Sequence, residues 1–237
     1  MRLRLEFTKH GKIRFTSHRD VARMWERALR RADIPMAYSE GFTPRPKISF
    51  GLALSTCHES DAEYLDIGIN DEHANAIDLE TLPDMITNNL PDGLVATRAS
   101  VIDRTTPSLQ ESVAQCTWQI DVIDTNEKTA TGAVARALAA KELVLTRQRK
   151  GKEVTDDLRP QLFGLDIIGP IEGGVRMVAD LGTKPRSIRP SELLAAFQPP
   201  LREWRVTRLN QWIIDDDGRR REPIPRMSVL SASEVTR

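Results

Sequence analysis

The sequence predicts an α+β protein built from two tandem ferredoxin-like (β-α-β-β-α-β) halves packed together. Three observations predict it. Apolar residues make up 40% and charged residues 29% of 237 positions, enough for a real core under a soluble surface. The apolar pattern switches repeatedly between alternation and helical spacing, the signatures of half-buried strands and amphipathic helices. The order strand–helix–strand–strand–helix–strand then occurs once on each side of a polar, Pro-containing stretch. No letter-by-letter repeat accompanies it, so the tandem rests on element order alone. The expected boundaries are 1–103, a linker at 104–113, a second half at 114–217, and a basic, mobile tail at 218–237.

In the first half, residues 2–15 hold two alternating pieces, Leu3/Leu5/Phe7 and Ile13/Phe15, read as a hairpin or one bent strand. A helix follows. Ser17 is its N-cap, and Asp20 at the third position answers orphan amides and the helix dipole. Val21, Met24, Trp25, Ala28, Leu29 and Ala32 form its apolar stripe, and Asp33-Ile34-Pro35 stops it. The loop Gly41-Phe42-Thr43-Pro44-Arg45-Pro46-Lys47 leads to a strand at 47–54. A second strand, 63–69, points Leu65, Ile67 and Ile69 inward and Asp66 outward. Thr81 caps a helix with Pro83 in its first turn, and 94–102 is a further strand.

The second half repeats the order. Trp118, Ile120 and Val122 mark a strand, and 130–140 is an Ala-rich helix. A strand at 143–146 runs into the basic turn 147–152, an extra hairpin. Strands at 163–168 and 175–181, a short helix at 190–197 opened by proline, and a strand at 204–214 complete the set. Trp25, Trp118, Trp204 and Trp212 occupy apolar positions, as core or domain-interface residues do.

The formal net charge is zero, yet its distribution is uneven. Residues 1–50 carry twelve Lys/Arg against five Asp/Glu, whereas 51–103 carry eleven acids against Arg98 alone. One basic face on an acidic body steers polyanions; the alternative is that these charges pair across neighbouring elements. No apolar run approaches the roughly 18 residues of a membrane helix, and no secretory signal opens the chain, so a cytoplasmic protein is expected. Cys57 and Cys116 fit neither a disulfide framework nor metal-ligand spacing. They cannot supply the three close cysteines of a radical SAM cluster, and no P-loop, dinucleotide fingerprint or nucleophile elbow is present. No cofactor, metal or catalytic residue is expected.

The positive features are cationic. Arg19, Arg23 and Arg27 are four apart and stack along one ridge, with Arg30 and Arg31 continuing it. Guanidinium groups in a row suit a phosphodiester backbone, although a solvated helix face has the same appearance. In the loop, Phe42 beside Arg45 and Lys47 offers a stacking ring next to two cations, the composition of a single-strand contact. A rigid connection with Phe42 in the core is the alternative. His10 and His18 could act as acid and base in RNA cleavage, or be ordinary polar residues. His58, Glu59, Asp61, Glu63 and His73 match no metal spacing and read as a solvated acidic surface.

The run Ser-His-Arg-Asp at 17–20, the Arg-rich helix ending Arg-Ala-Asp-Ile-Pro, and Tyr-Ser-Glu-Gly-Phe-Thr-Pro-Arg-Pro-Lys-Ile-Ser-Phe at 38–50 resemble the radical SAM-linked protein family. The resemblance covers about residues 1–70. It implies a free-standing form of a domain otherwise found C-terminal to cobalamin-binding radical SAM enzymes. It also implies a setting beside a ribonuclease E/G-type enzyme and ribosomal proteins, hence tRNA or rRNA processing. The expected function is a non-catalytic RNA-binding accessory protein. Its RNA contacts are Arg19, Arg23, Arg27, Arg30, Arg31, Phe42, Arg45 and Lys47, and its partner is a radical SAM or ribonuclease E/G-type enzyme. The alternatives are a subunit docking on a radical SAM enzyme without touching RNA, and a metal-independent endoribonuclease.

Overall fold

A computed structural model describes residues 1–224. The first half comprises β1 (Arg2–Lys9), α1 (His18–Arg31), β2 (Ile48–Phe50), β3 (Glu59–Gly68), α2 (Leu82–Thr87) and β4 (Leu94–Ile102). Its strands lie in the order β4-β1-β3-β2 with every neighbour antiparallel, the ferredoxin-like arrangement. A short α3 (Leu109–Ser112) then precedes β5 (Val113–Ile123), α4 (Glu127–Ala139), the hairpin β6 (Val144–Arg149) and β7 (Lys152–Asp157), β8 (Leu162–Ile171), β9 (Gly174–Gly182), α5 (Pro190–Ala196), β10 (Arg202–Ile214) and β11 (Arg220–Arg221). The order β10-β5-β9-β8, again antiparallel throughout, repeats the first half. The extra hairpin stands apart as a two-stranded ribbon.

The halves share one nine-stranded sheet, and a short strand makes this possible. β2 has only three residues and pairs with Leu65–Ile67 of β3, so the start of β3 stays uncovered. β10 fills that gap in parallel, setting Thr207 opposite Glu59 and Arg208 opposite Ser60.

Alternation places the cores. Leu3, Leu5, Phe7, Leu65 and Ile67 pack against Val21, Trp25 and Leu29 of α1 and Ile86 of α2, with the Phe7 and Trp25 rings 4.8 Å apart. Ile120, Val122, Met177, Ala179 and Leu181 pack likewise against Ala133, Ala137 and Leu193. Glu63 shares the face of Leu65 and Ile67, and it meets Arg208 at 3.0 Å, which shares the face of Val206. Both helical layers therefore lie on the same side of the sheet. The other side is covered over the first half by α3 and by residues 222–224, through a cluster of Ala62, Tyr64, Leu109 and Ile224.

This cover corrects several sequence expectations. The tail expected from Gly218 is part of the fold through Ile224: β11 pairs with Ile213 and Ile214, and Pro223 and Ile224 are buried. Residues 225–237 lie outside the described residues. Asp66 faces away from the helices, but it is 3% exposed because Arg2 and Arg4 bind it and the 222–224 segment lies close above. Ile13 and Phe15 belong to a 3-10 turn, Gly11–Phe15, in place of a second strand. Gly93 explains the bend, because its carbonyl accepts from His10 N. Thr81 does not cap α2 with its side chain; its hydroxyl donates to Asp78. Trp204 is 69% exposed, since an irregularity between Glu203 and Arg205 turns it out of the sheet. Among the described residues no helix is long and apolar enough to cross a membrane.

Candidate nucleic-acid interface

α1 forms because its ends and inner face are well specified. The Ser17 hydroxyl accepts from Asp20 N, and Asp33 takes a left-handed φ of 51° past the last turn. Val21, Trp25, Ala28 and Leu29 are buried, which leaves Arg19, Arg23, Arg27, Arg30 and Arg31 all exposed on the outer side. Arg19, Arg23, Arg27 and Arg31 rise along one row in steps of about 6 Å. Arg23 reaches Asp20 at 3.2 Å and Arg30 reaches Glu26, both within the helix. Arg19, Arg27 and Arg31 have no carboxylate partner among the described residues.

The loop after α1 is a closed turn at the edge of the sheet. Met36 bridges to Ile69 and Tyr38 to Pro46, while Ser39 N donates to Arg45 O and Lys47 N to Ala37 O. Gly41 carries a φ of 121°, a conformation side chains rarely allow. Phe42 at the tip is fully exposed, so it is not a core residue, and Arg45 and Lys47 of the same turn are exposed as well. The structure sets the ridge and the turn in the same half. No hydrogen bond, ion pair or ring contact joins them among the described residues.

Of the group read as a solvated acidic surface, Glu59 and Glu63 are instead buried and paired, while Asp61 and His73 stay exposed. Glu59, 1% exposed, accepts from Arg205 Nε at 2.6 Å and from Gly11 N at 2.8 Å. Burial raises its pKa, but the Arg205 and Gly11 hydrogen bonds outweigh that and hold it below the ordinary glutamate value. Glu63 pairs with Arg208 at 3.0 Å, Asp66 with Arg4 at 2.7 Å, and Asp61 with His10 at 2.8 Å. On the far face Glu6 binds Arg98 and the Tyr64 hydroxyl, whose pKa burial pushes up. Lys9 is buried at the seam, where Nζ donates to Arg14 O and Thr16 O, and desolvation lowers its pKa.

His10 is held by Asp61, and His18 stands edge-on to Phe50 with ring centroids 5.4 Å apart. His58 is buried edge-on to Trp118, and His73 lies exposed in the 3-10 turn Asp71–Ala76. Among the described residues no three His, Cys, Asp or Glu side chains converge to share an ion. Cys116 is buried, which pushes its thiol up to about 11, and Cys57 is exposed.

One feature escaped the sequence entirely. A cleft of about 550 Å³ opens on the helical side of the seam, where His18 of α1, residues 52–56, Trp118, residues 181–190 and Arg208 meet. Its wall is drawn from five distant stretches, so no local motif could mark it.

Residues 2–190 match a family model described as "Uncharacterized protein conserved in bacteria (DUF2344)". No curated protein matches the chain. A chain of the solved structure "Crystal Structure of a Cbf5-Nop10-Gar1 Complex" aligns with a TM-score of 0.49 at 6% identity, over 88% of this chain and 48% of that one. The present chain thus spans about half the length of that chain.

Proposed function

The chain belongs to this bacterial family, DUF2344, and we propose that it is a non-catalytic RNA-binding accessory protein whose phosphate-binding surface is the outer face of α1. One observation carries the reading: Arg19, Arg27 and Arg31 stand exposed without carboxylate partners among the described residues, although eleven acids follow within residues 51–103. The most deeply buried of those acids meet arginines of β1 and β10, so neutralisation inside the sheet leaves the helix positive. A solvated arginine row gives sequence-independent affinity through counterion release. Phe42, exposed between Gly41 and Arg45, adds a platform on which an unpaired base can stack. An RNA-modifying radical SAM enzyme or a ribonuclease E/G-type enzyme would be the partner that supplies chemistry.

The test is filter binding of the purified chain to a mixed RNA pool over a salt series. The expected result is affinity that falls steeply with salt and varies little with sequence. Replacing Arg19, Arg23 and Arg27 together by Ala should lower the log–log salt slope by about two units, at roughly 0.7 per lost single-strand phosphate contact. An unchanged slope sinks the reading. A second reading, docking on a partner protein, draws on exposed Phe163, Ile168 and Trp204. It takes the lead if the native chain passes through heparin unretained at physiological salt.

A further inference from the structure

The seam cleft has features that the arginine ridge does not explain. Its wall carries the hydroxyls of Ser55, Thr56 and Ser187, with Arg189 and His18 exposed at its sides; the Thr183 hydroxyl is committed to the Val113 carbonyl. Among the described residues no Asp or Glu lines it. Arg208 and Trp118, 2% and 6% exposed, form its inner end, with the guanidinium 4.8 Å from the indole ring. Arg208 spends its terminal nitrogens on Glu63 and on the carbonyls of Leu52 and Ala53, and its buried Nε and Trp118 Nε1 have no hydrogen-bond partner among the described residues. Both atoms lie sealed behind the wall of the cleft, so its ligand-facing polar groups are those of Ser55, Thr56, Ser187, Arg189 and His18.

We propose that this cleft binds a nucleoside phosphate, either free or as a nucleotide turned out of an RNA strand. The volume, about 550 Å³, is that of a small-ligand site. The chemistry is complementary. Leu54, Cys116 and Leu181 give the cleft an apolar lining for a ring system. The hydroxyls of Ser55, Thr56 and Ser187 along the wall suit acceptor-rich ring edges. Arg189 and His18 give the mouth positive or proton-donating groups for a phosphate. Position supports the strand form as well, because His18 immediately precedes Arg19, the first residue of the ridge. The site goes beyond the RNA-binding reading and does not require it.

The experiment titrates the full chain with AMP, GMP, CMP and UMP by calorimetry, with inorganic phosphate as control. The same preparations are tested in parallel for RNA binding. Ser187→Trp should plug the cleft from an exposed position without disturbing the core, and a native circular dichroism spectrum checks this. At least one nucleotide is expected to bind one-to-one. The plug should abolish that binding, and Arg189→Ala should weaken it about tenfold, the loss of one charge-assisted contact. Nucleotide binding lost while RNA affinity holds identifies a free nucleotide as the ligand. Loss of both identifies a nucleotide of the strand. The proposal is overturned if no nucleotide binds and the plug leaves RNA affinity unchanged, or if nucleotides bind equally well with the plug in place. Failure of the ridge reading shows separately, as RNA affinity indifferent to the α1 substitutions.

Discussion

Arg4 and Arg27 lie in the same half and have opposite fates. Arg4 is 1% exposed on the far face of β1, where Nε and Nη2 hold Asp66 at 2.7 and 3.0 Å. Arg27 is exposed on the outer face of α1 with no carboxylate partner among the described residues. The sheet brings strands from distant parts of the chain together, so a charge on it finds partners and is then covered. The outer face of a helix meets nothing but solvent and its own next turn. A basic residue count therefore says little until each charge is assigned to an element. The buried arginines of the sheet hold the molecule together, whereas Arg19, Arg27 and Arg31 of α1 stand in solvent without a carboxylate partner among the described residues.

The largest test of this contrast is Asp66→Ala. It leaves Arg4 buried with a charge and no counter-ion, which should cost about 3–5 kcal/mol in urea unfolding. A loss under about 1 kcal/mol, the worth of a surface pair, would mean that the layer is wet and the contrast false. Trp25→Ala should cost a comparable 3–5 kcal/mol or so by emptying the core beneath α1. Arg27→Ala, two residues on, should stay within about 0.5 kcal/mol. Acid gives a graded test. The folded pKa of Glu59 lies below its unfolded value, so its contribution is whole above about pH 4.3 and is lost as pH falls through the folded value. The gap in urea midpoint between the native chain and Glu59→Gln should accordingly shrink below pH 4. A gap that widens there reverses the sign. The smallest effect is functional: Arg27→Ala should reduce the RNA salt slope by roughly 0.7 unit and shift affinity uniformly across sequences.

The fold order was legible because it is written locally. Alternation at Leu3/Leu5/Phe7 and Ile120/Val122, and helical spacing from Val21 to Leu29, each need only a dozen residues to be seen. What escaped is written across the chain. Asp66 read as outward because alternation sets it opposite Leu65 and Ile67, and Glu63 read as solvated because it is charged, although it shares their face. Only the return of residues 222–224 and the arrival of β10 put them inside. The parallel contact of β10 with β3 depends on β2 being three residues long, which the longer apolar alternation at 48–54 concealed. The outer face of α1 was readable for the opposite reason, since its arginines stay exposed among the described residues. The cleft could not be read, because its walls meet only after both halves have closed.

The strap at 222–224 also sets an order of completion. During synthesis β1 emerges first, but the carbonyl of Pro223 that approaches Arg4 lies 219 residues later. Until then, the first half has its strands, its helices and its inner core, but the charged layer on its far face stands open to water. The two halves thus differ in when they are finished: the one made first is sealed last, by a segment that belongs to the other.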